Sequence, residues 1–413
     1  MKTMLISIFA IVFAYLTQSY FPSFNPQESS ILIIVGSLLV LLLTVLLITF
    51  SLIPLQRLEQ NLVPNLVELY KRNRWLKTNR FCLFLFPLVS FFAVNWINSN
   101  SFQFKEWIMP IWLVTFGLSL DLLKCYWQKL MQFLNPSDFV NMLTRQGKKA
   151  VQNEKDDTLW SSLDNLSEIA VRSIEKSKIA LSTQTLKSFP PIVDAFFASS
   201  KSISRINVDA ETEKKTGRDE ASFTIFYLLQ RLELINDRAL QNRLETICRQ
   251  MIMTMGKLII SCAKFDLTMV NFPTHFLTKF GLKALQHHFE EVGVLTTSTL
   301  LEIAKTILKD VNINYAELQS PFQAIVNGLN AIAKATFKKE KNTSIKLLVQ
   351  PFEELKTMFQ AEKMVNHPDA SVIIHEIDRI LEEFTVLGQV MRSIPPIPNL
   401  EDDSLTTANS NLK

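Results

Sequence analysis

The chain has 413 residues, 48% of them hydrophobic and 20% charged, with a formal net charge of +4, a length that allows two or three domains of about 150 residues. Ten Lys/Arg against five Asp/Glu fall before residue 136, leaving 33 against 34 in the remainder. The excess basicity therefore lies in the apolar first third and not on a folded domain, which excludes a nucleic-acid reader.

Four apolar stretches open the sequence. The first, over residues 3–20, follows Lys2 and ends in Thr17, Gln18, Ser19 and Tyr20. A basic start with an apolar middle also describes a signal peptide, but no small-x-small cleavage site follows, so a retained span is expected. The second, ILIIVGSLLVLLLTVLLITFSLI at 31–53, carries no charge for more than twenty positions. About 20 apolar helical residues cross a bilayer core of about 30 Å. An amphipathic helix of a soluble domain would show a polar face instead. The third, 81–98, is rich in Phe and ends near Trp96; the fourth, 107–124, runs through Trp112 and is cut short by Asp121 and Lys124. Asp121 and Lys124 lie one turn apart and form a candidate ion pair at a span end, the position of a pore mouth if the spans surround a channel.

Between the second and third stretches stand Arg57, Lys71, Arg72, Arg74, Lys77 and Arg80, against only Glu59 and Glu68. The other inter-span segments hold Glu28 alone (21–30) and Lys105 with Glu106 (98–106). The positive-inside rule then places the basic segment in the cytoplasm. With four spans, residues 125–413 are cytoplasmic as well, and removal of the first span would not change that. The six basic residues set topology, and they also suit anionic lipid headgroups, at about 1 kcal/mol per cation near the surface.

The spans close a transmembrane region at 1–135. A membrane-proximal helical region at 136–201 follows, with a helix start at Ser137-Asp138 after Pro136 and an amphipathic helix over 157–180. Pro190-Pro191 opens a further helix. Residues 202–219 lack large apolar side chains after Val208 and read as a linker. The domain at 220–394 predicts helices near 220–237, 239–266, 273–290, 294–310, 320–338, 343–361 and 369–393. Short joins imply antiparallel neighbours, and no sharp repeat period favours more than a bundle or an irregular stack. Residues 395–413 are polar, begin after Pro395-Pro396 and read as a disordered tail. The fold class is all-α: four transmembrane helices followed by a cytoplasmic helical domain.

Catalytic signatures are missing. Nine glycines are too dispersed for a phosphate-cradling loop. Cys82, Cys125, Cys248 and Cys262 form no C-x-x-C pair and read as buried thiols. His287-His288 with Glu290 and Glu291 put imidazole and carboxylate at i, i+3, which reads as an ordinary surface helix. His375-Glu376 lacks the second histidine of a zincin helix. No enzyme, cofactor or metal is expected.

The segments TVLLITFSLIPLQRLEQNLVPNLVELYKRN and LDNLSEIAVRSIEKSKIAL resemble a family of uncharacterised bacterial membrane proteins with four N-terminal spans and a cytoplasmic helical domain. The likeness covers about residues 30–190. The family's Asn-Asp-Pro step is absent, and Glu175-Lys176-Ser177 stands nearby. The resemblance implies architecture and a place in a bacterial inner membrane; it supplies no functional residue. The expected function is a non-enzymatic membrane protein presenting its helical domain to a protein partner or to copies of itself, as a homo-oligomer. The alternative is an oligomeric channel gated by that domain.

Overall fold

The computed structural model describes residues 26–98, 105–153, 156–203, 210–310, 317–339, 344–361, 364 and 366–393. The expected span at 3–20 and the expected tail at 395–413 lie outside them. The chain is all-α among these residues and divides into two compact units, 1–199 and 200–413.

Three helices of the first unit are long and apolar enough to cross a membrane. They belong to α1 (Pro26–Asn61), α3 (Arg74–Asn98) and α4 (Lys105–Leu134), with the short α2 (Leu66–Arg72) between the first two. At 1.5 Å per residue the 36 residues of α1 extend about 54 Å, well beyond a bilayer core. The three long helices pack pairwise on one another, yet only 22% to 28% of each apolar window is buried by protein. The remainder, from Ile31 and Leu42 to Phe81, Phe92 and Ile111, is exposed apolar surface. Water would penalise so large an area at about 25 cal/mol per Å2, whereas lipid would not.

The segment expected as a basic connection is largely helical. Arg57 rides in the extended end of α1, Lys71 and Arg72 close α2, and Arg74, Lys77 and Arg80 fill the first two turns of α3. Leu55, Leu62, Val63, Leu66, Tyr70 and Leu76 are all buried beneath these charges. The chain reverses at Asn65, whose left-handed φ of 56° suits a short polar side chain.

Beyond the long helices follow α5 (Pro136–Gln152), α6 (Asp156–Glu175), α7 (Ile179–Leu186) and α8 (Phe189–Ile203). Proline occupies the first turn of α5, and Asn135 caps it, its side-chain oxygen accepting from Ser137 N at 3.1 Å. Arg172 of α6 reaches back to the end of α1, where Nη1 donates to the carbonyl of Glu59 at 2.8 Å. It thus satisfies a carbonyl near a helix C-terminus, where a cation is favoured.

The second unit contains α9 (Ala210–Gln241), α10 (Glu245–Phe265), α11 (Asn271–Gln286), α12 (Glu290–Asp310), α13 (Gln319–Lys339), α14 (Ile345–Gln360) and α15 (Pro368–Ser393). A 3-10 turn, Leu267–Val270, joins α10 to α11. Helix α9 begins at Ala210, ten residues before its expected start. The added stretch AETEKKTGRD is built largely from Ala, Glu, Lys and Arg, which favour helix without showing apolar periodicity. Each helix packs on the next and also on the next but one: α9 on α11, α10 on α12, α11 on α13, α12 on α14, α13 on α15. Two alternating rows result, α9–α11–α13–α15 and α10–α12–α14.

Several helix ends differ from expectation for one shared reason. The expected helix 157–180 breaks after Glu175, and the expected helix 273–290 breaks after Gln286. At each break a non-glycine residue takes the left-handed conformation: Ser177 at φ 53° and His288 at φ 66°, with Arg243 at 54° doing the same after α9. The next N–H then bonds back five residues, from Lys178 to Ser173, from Leu244 to Ala239 and from Phe289 to Ala284, at 2.7 Å to 3.0 Å. This is the closure that glycine usually makes. Without glycine it leaves no mark in the sequence.

Candidate functional site

Helix α1 presents one buried face to α3 and α4. Ser30, Ser37, Thr44 and Ser51 recur every seven residues along it, each at most 8% exposed, beside Ile33, Val40 and Leu55. Ser37 donates to Ile34 O at 2.9 Å, Thr44 to Val40 O at 2.7 Å and Ser51 to Ile48 O at 2.7 Å. These three hydroxyls are thus satisfied by the helix's own backbone, Ser30 Oγ donates across to Asn98 Oδ1 of α3 at 3.4 Å, and the stripe acts through small size, as helix contacts in lipid require. Gly36 lies under the Trp112 ring, where a Cβ would stand 2.7 Å from Cη2. Trp112 stacks on Phe116 with centroids 5.2 Å apart, sits 6.2 Å from Phe86 and donates its indole N–H to Ser90 Oγ at 2.9 Å.

Below this cluster, Tyr70 of α2 and Tyr126 of α4 share a buried hydroxyl–hydroxyl hydrogen bond. Phe133 meets Tyr70 edge-on at 6.1 Å, and the Arg80 guanidinium lies 5.3 Å from the Tyr70 ring centre. Arg80 is therefore partly consumed by packing, and its Nε donates to Leu76 O at 3.3 Å. Arg57, Lys71, Arg72, Arg74 and Lys77 are exposed. Asp121 is 6% exposed, while Lys124, one turn on, is exposed. Burial separates the environments of these two residues.

In the second unit, ion pairs link helices two apart along each row. Glu233 of α9 holds Lys279 at 2.6 Å and Lys283 at 3.1 Å on α11, and Asp237 holds Lys283 at 2.7 Å. Lys334 of α13 meets Glu383 of α15 at 2.7 Å. In the other row Arg249 reaches Glu291 and Lys305 reaches Glu354, both at 2.5 Å. Close approach through glycine accompanies these links. A Cβ on Gly256 would stand 2.6 Å from Thr299 Cγ2, and one on Gly328 2.5 Å from Thr278 Oγ1.

Burial alone would raise the Glu233 carboxyl, but the hydrogen bonds and charges of Lys279 and Lys283 outweigh it and hold it below the usual range. Burial would lower Lys283, but Asp237 and Glu233 outweigh that and raise it. A depressed acid contributes stability above its unfolded pKa of about 4.3 and loses it as pH falls through the folded value. A raised lysine contributes below about 10.4 and loses it as pH rises through its folded value. Glu233→Gln is therefore expected to flatten the acid limb of the stability profile below about pH 4.5 and to leave the limb above it lower. Circular-dichroism melts from pH 3 to 8 check this; an acid limb as steep as that of the parent would refute the linkage.

Cys248 and Cys262 are buried, and burial pushes both thiols up to about 12, so they stay protonated at neutral pH. His287 ends α11, whereas Glu290 and Glu291 begin α12, so these groups do not share a helix. Among the described residues no group of three His, Cys, Asp or Glu could hold a metal.

One surface of this unit was not anticipated from sequence. Phe223 and Phe226 of α9 and Phe272 of α11 are 62%, 39% and 59% exposed. They surround an apolar cleft of about 360 Å3 floored by Met269 and Ile225. Phe226 and Phe272 meet edge-on at 5.7 Å. The signal was in plain view as FxxF at 223–226 followed by Phe272 and Phe276, but helical spacing of aromatics reads first as core.

No protein-family model matches the chain, and no curated protein is similar to it. Function is read from this chain's own geometry.

Proposed function

We propose that the chain is a non-enzymatic integral membrane protein of four spans whose C-terminal helical unit, held on the cytoplasmic side, docks protein. The three long apolar helices with their exposed faces support insertion. The basic residues from Arg57 to Arg80, spread over the end of α1, α2 and the start of α3, support the orientation. The observation that carries docking is the Phe223–Phe226–Phe272 cluster. Soluble surfaces rarely leave contiguous aromatic area in water, and aromatic residues dominate binding energy where interfaces form. A pore would draw on the hydroxyl stripe of α1, but Ser37, Thr44 and Ser51 donate to backbone carbonyls and Ser30 to Asn98 Oδ1, so docking is the better supported reading.

The test is the mass of the full chain in mild detergent, combined with a photo-crosslinking residue at position 223 in native membranes. An assembly or a crosslinked protein is expected, weakened about tenfold or more in Phe223→Ser/Phe272→Ser, since each buried aromatic contributes about 1.5–3 kcal/mol. A monomer that crosslinks to no protein would overturn the reading.

A further inference from the structure

We propose that the cleft between the end of α4 and α5 is a binding site for a phosphate anion, borne on a lipid headgroup or free in solution. The cavity holds about 610 Å3 and is lined by Lys129 and Gln132 of α4 and by Asp138, Asn141, Arg145 and Lys149 of α5. The α5 residues recur at three or four positions, so one helix face supplies them.

Three cations face one carboxylate here. That carboxylate is occupied at the start of α5, where Asp138 Oδ2 accepts from Asn135 Nδ2 at 2.9 Å. Arg145 and Lys149 are exposed, one turn apart, and like charges at that spacing repel. Among the described residues neither has an ion-pair partner, whereas cations on the outer faces of the second unit are repeatedly matched with carboxylates. An anion placed between them relieves the repulsion. A guanidinium fork, two ammonium groups and amide donors are the set that recognises phosphate oxygens. Asn141 Oδ1 accepts from Gln184 Nε2 at 3.3 Å, which leaves its amide N–H groups as donors.

Position argues for the lipid as one source. Lys129 lies five residues beyond Lys124, about 8 Å further along α4, a depth that matches the headgroup layer outside a hydrocarbon core of about 30 Å. This site is separate from the Arg72–Arg74 cluster at the join of α2 and α3, and it does not depend on what the second unit docks.

The experiment uses the full chain in mild detergent and counts retained phosphatidylglycerol and phosphatidylcholine by native mass spectrometry. A parallel arm measures thermal shift with inorganic phosphate. Each basic residue near the surface is worth about fivefold in affinity, so Arg145→Gln/Lys149→Gln should lower phosphatidylglycerol retention about thirtyfold, leave phosphatidylcholine unchanged and keep the parent circular-dichroism spectrum. A phosphate-induced thermal shift lost in the same variant, without phosphatidylglycerol preference, would assign the site to soluble phosphate. The proposal is overturned if the double variant retains phosphatidylglycerol as the parent does and phosphate stabilises neither. Loss of selectivity in Arg72→Gln/Arg74→Gln alone would overturn it as well, because the lipid would then sit at the other cluster.

Discussion

Gly281→Val is expected to lower the melting temperature of the second unit by about 5–10 °C. Gly281 lies on α11 where that helix meets both α12 and α13. A Cβ there would stand 2.6 Å from Thr296 Oγ1, 2.8 Å from Thr296 Cγ2 and 2.9 Å from Ile332 Cδ1. Two of the three contacts fall on β-branched Thr296, which is fully buried and whose hydroxyl donates to Val292 O at 2.7 Å. Its rotamer is held by that bond and by the χ1 stiffness of threonine, so the contact cannot be relieved cheaply. Overpacking of this kind costs about 1–3 kcal/mol, occasionally more. Better helix propensity than glycine offsets only a few tenths of a kcal/mol. A net loss of about 2–3 kcal/mol corresponds to the stated shift for a unit of about 200 residues.

The measurement has a built-in control. All six tryptophans, Trp75, Trp96, Trp107, Trp112, Trp127 and Trp160, lie in the first unit. Tryptophan fluorescence therefore reports that unit, while circular dichroism reports both. The early transition should appear in the dichroism alone. Gly281→Ala should fall between parent and valine, because the new Cβ already makes the contacts while alanine gains about 1 kcal/mol of helix propensity. A valine variant that melts with the parent would refute the close approach.

Trp112→Ala is expected to cost about 3 kcal/mol in the first unit, the lower end of the range for large aromatic truncation. The lower end applies because lipid is as apolar as the ring, so transfer adds little and lost packing dominates. What is lost is the stack on Phe116, the contact with Phe86 and the cover over Gly36. Ser90 also loses its indole donor, though its own hydroxyl still donates to Phe86 O at 2.9 Å. Trp112→Phe separates these contributions. It keeps a ring against Phe116 and forfeits the indole hydrogen bond, worth about 0.6 kcal/mol between helices in lipid. Unfolding in mixed micelles of rising dodecyl sulfate content, followed by circular dichroism, reads both variants. Equal midpoints for alanine and phenylalanine would show that the ring packing contributes nothing.

The helices after residue 136 fall near their sequence-based positions because apolar spacing at three and four is a property of each segment alone. Their ends do not, and the breaks at Ser177, Arg243 and His288 show why. A left-handed residue is legible when glycine or asparagine occupies it; here serine, arginine and histidine are held there by the packing that follows. Gly281 and Gly328, each costly in a helix interior, become intelligible only against Thr296, Ile332 and Thr278 on other helices. The early start of α9 has a different cause: the sequence of its first turns favours helix by propensity without apolar periodicity. The candidate surfaces were less legible still. Asp121 and Lys124 were conspicuous as charges at a span end, whereas Phe223 and Phe272 lie 49 positions apart and join only where α9 meets α11.

By itself, then, the sequence determined that the chain carries helices of membrane-crossing length, that its basic residues gather between two of them, and that helices fill the remainder. Each is a sum over neighbours along the chain, and hydropathy, charge and helical period are such sums. Only the tertiary structure decided which face of α1 is covered, which glycines are required, which cations are paired and which, at Arg145 and Lys149, have no ion-pair partner among the described residues. Those outcomes depend on distances between residues remote in sequence. Contact and Coulomb energies vary with separation in space, and separation along the chain does not report it.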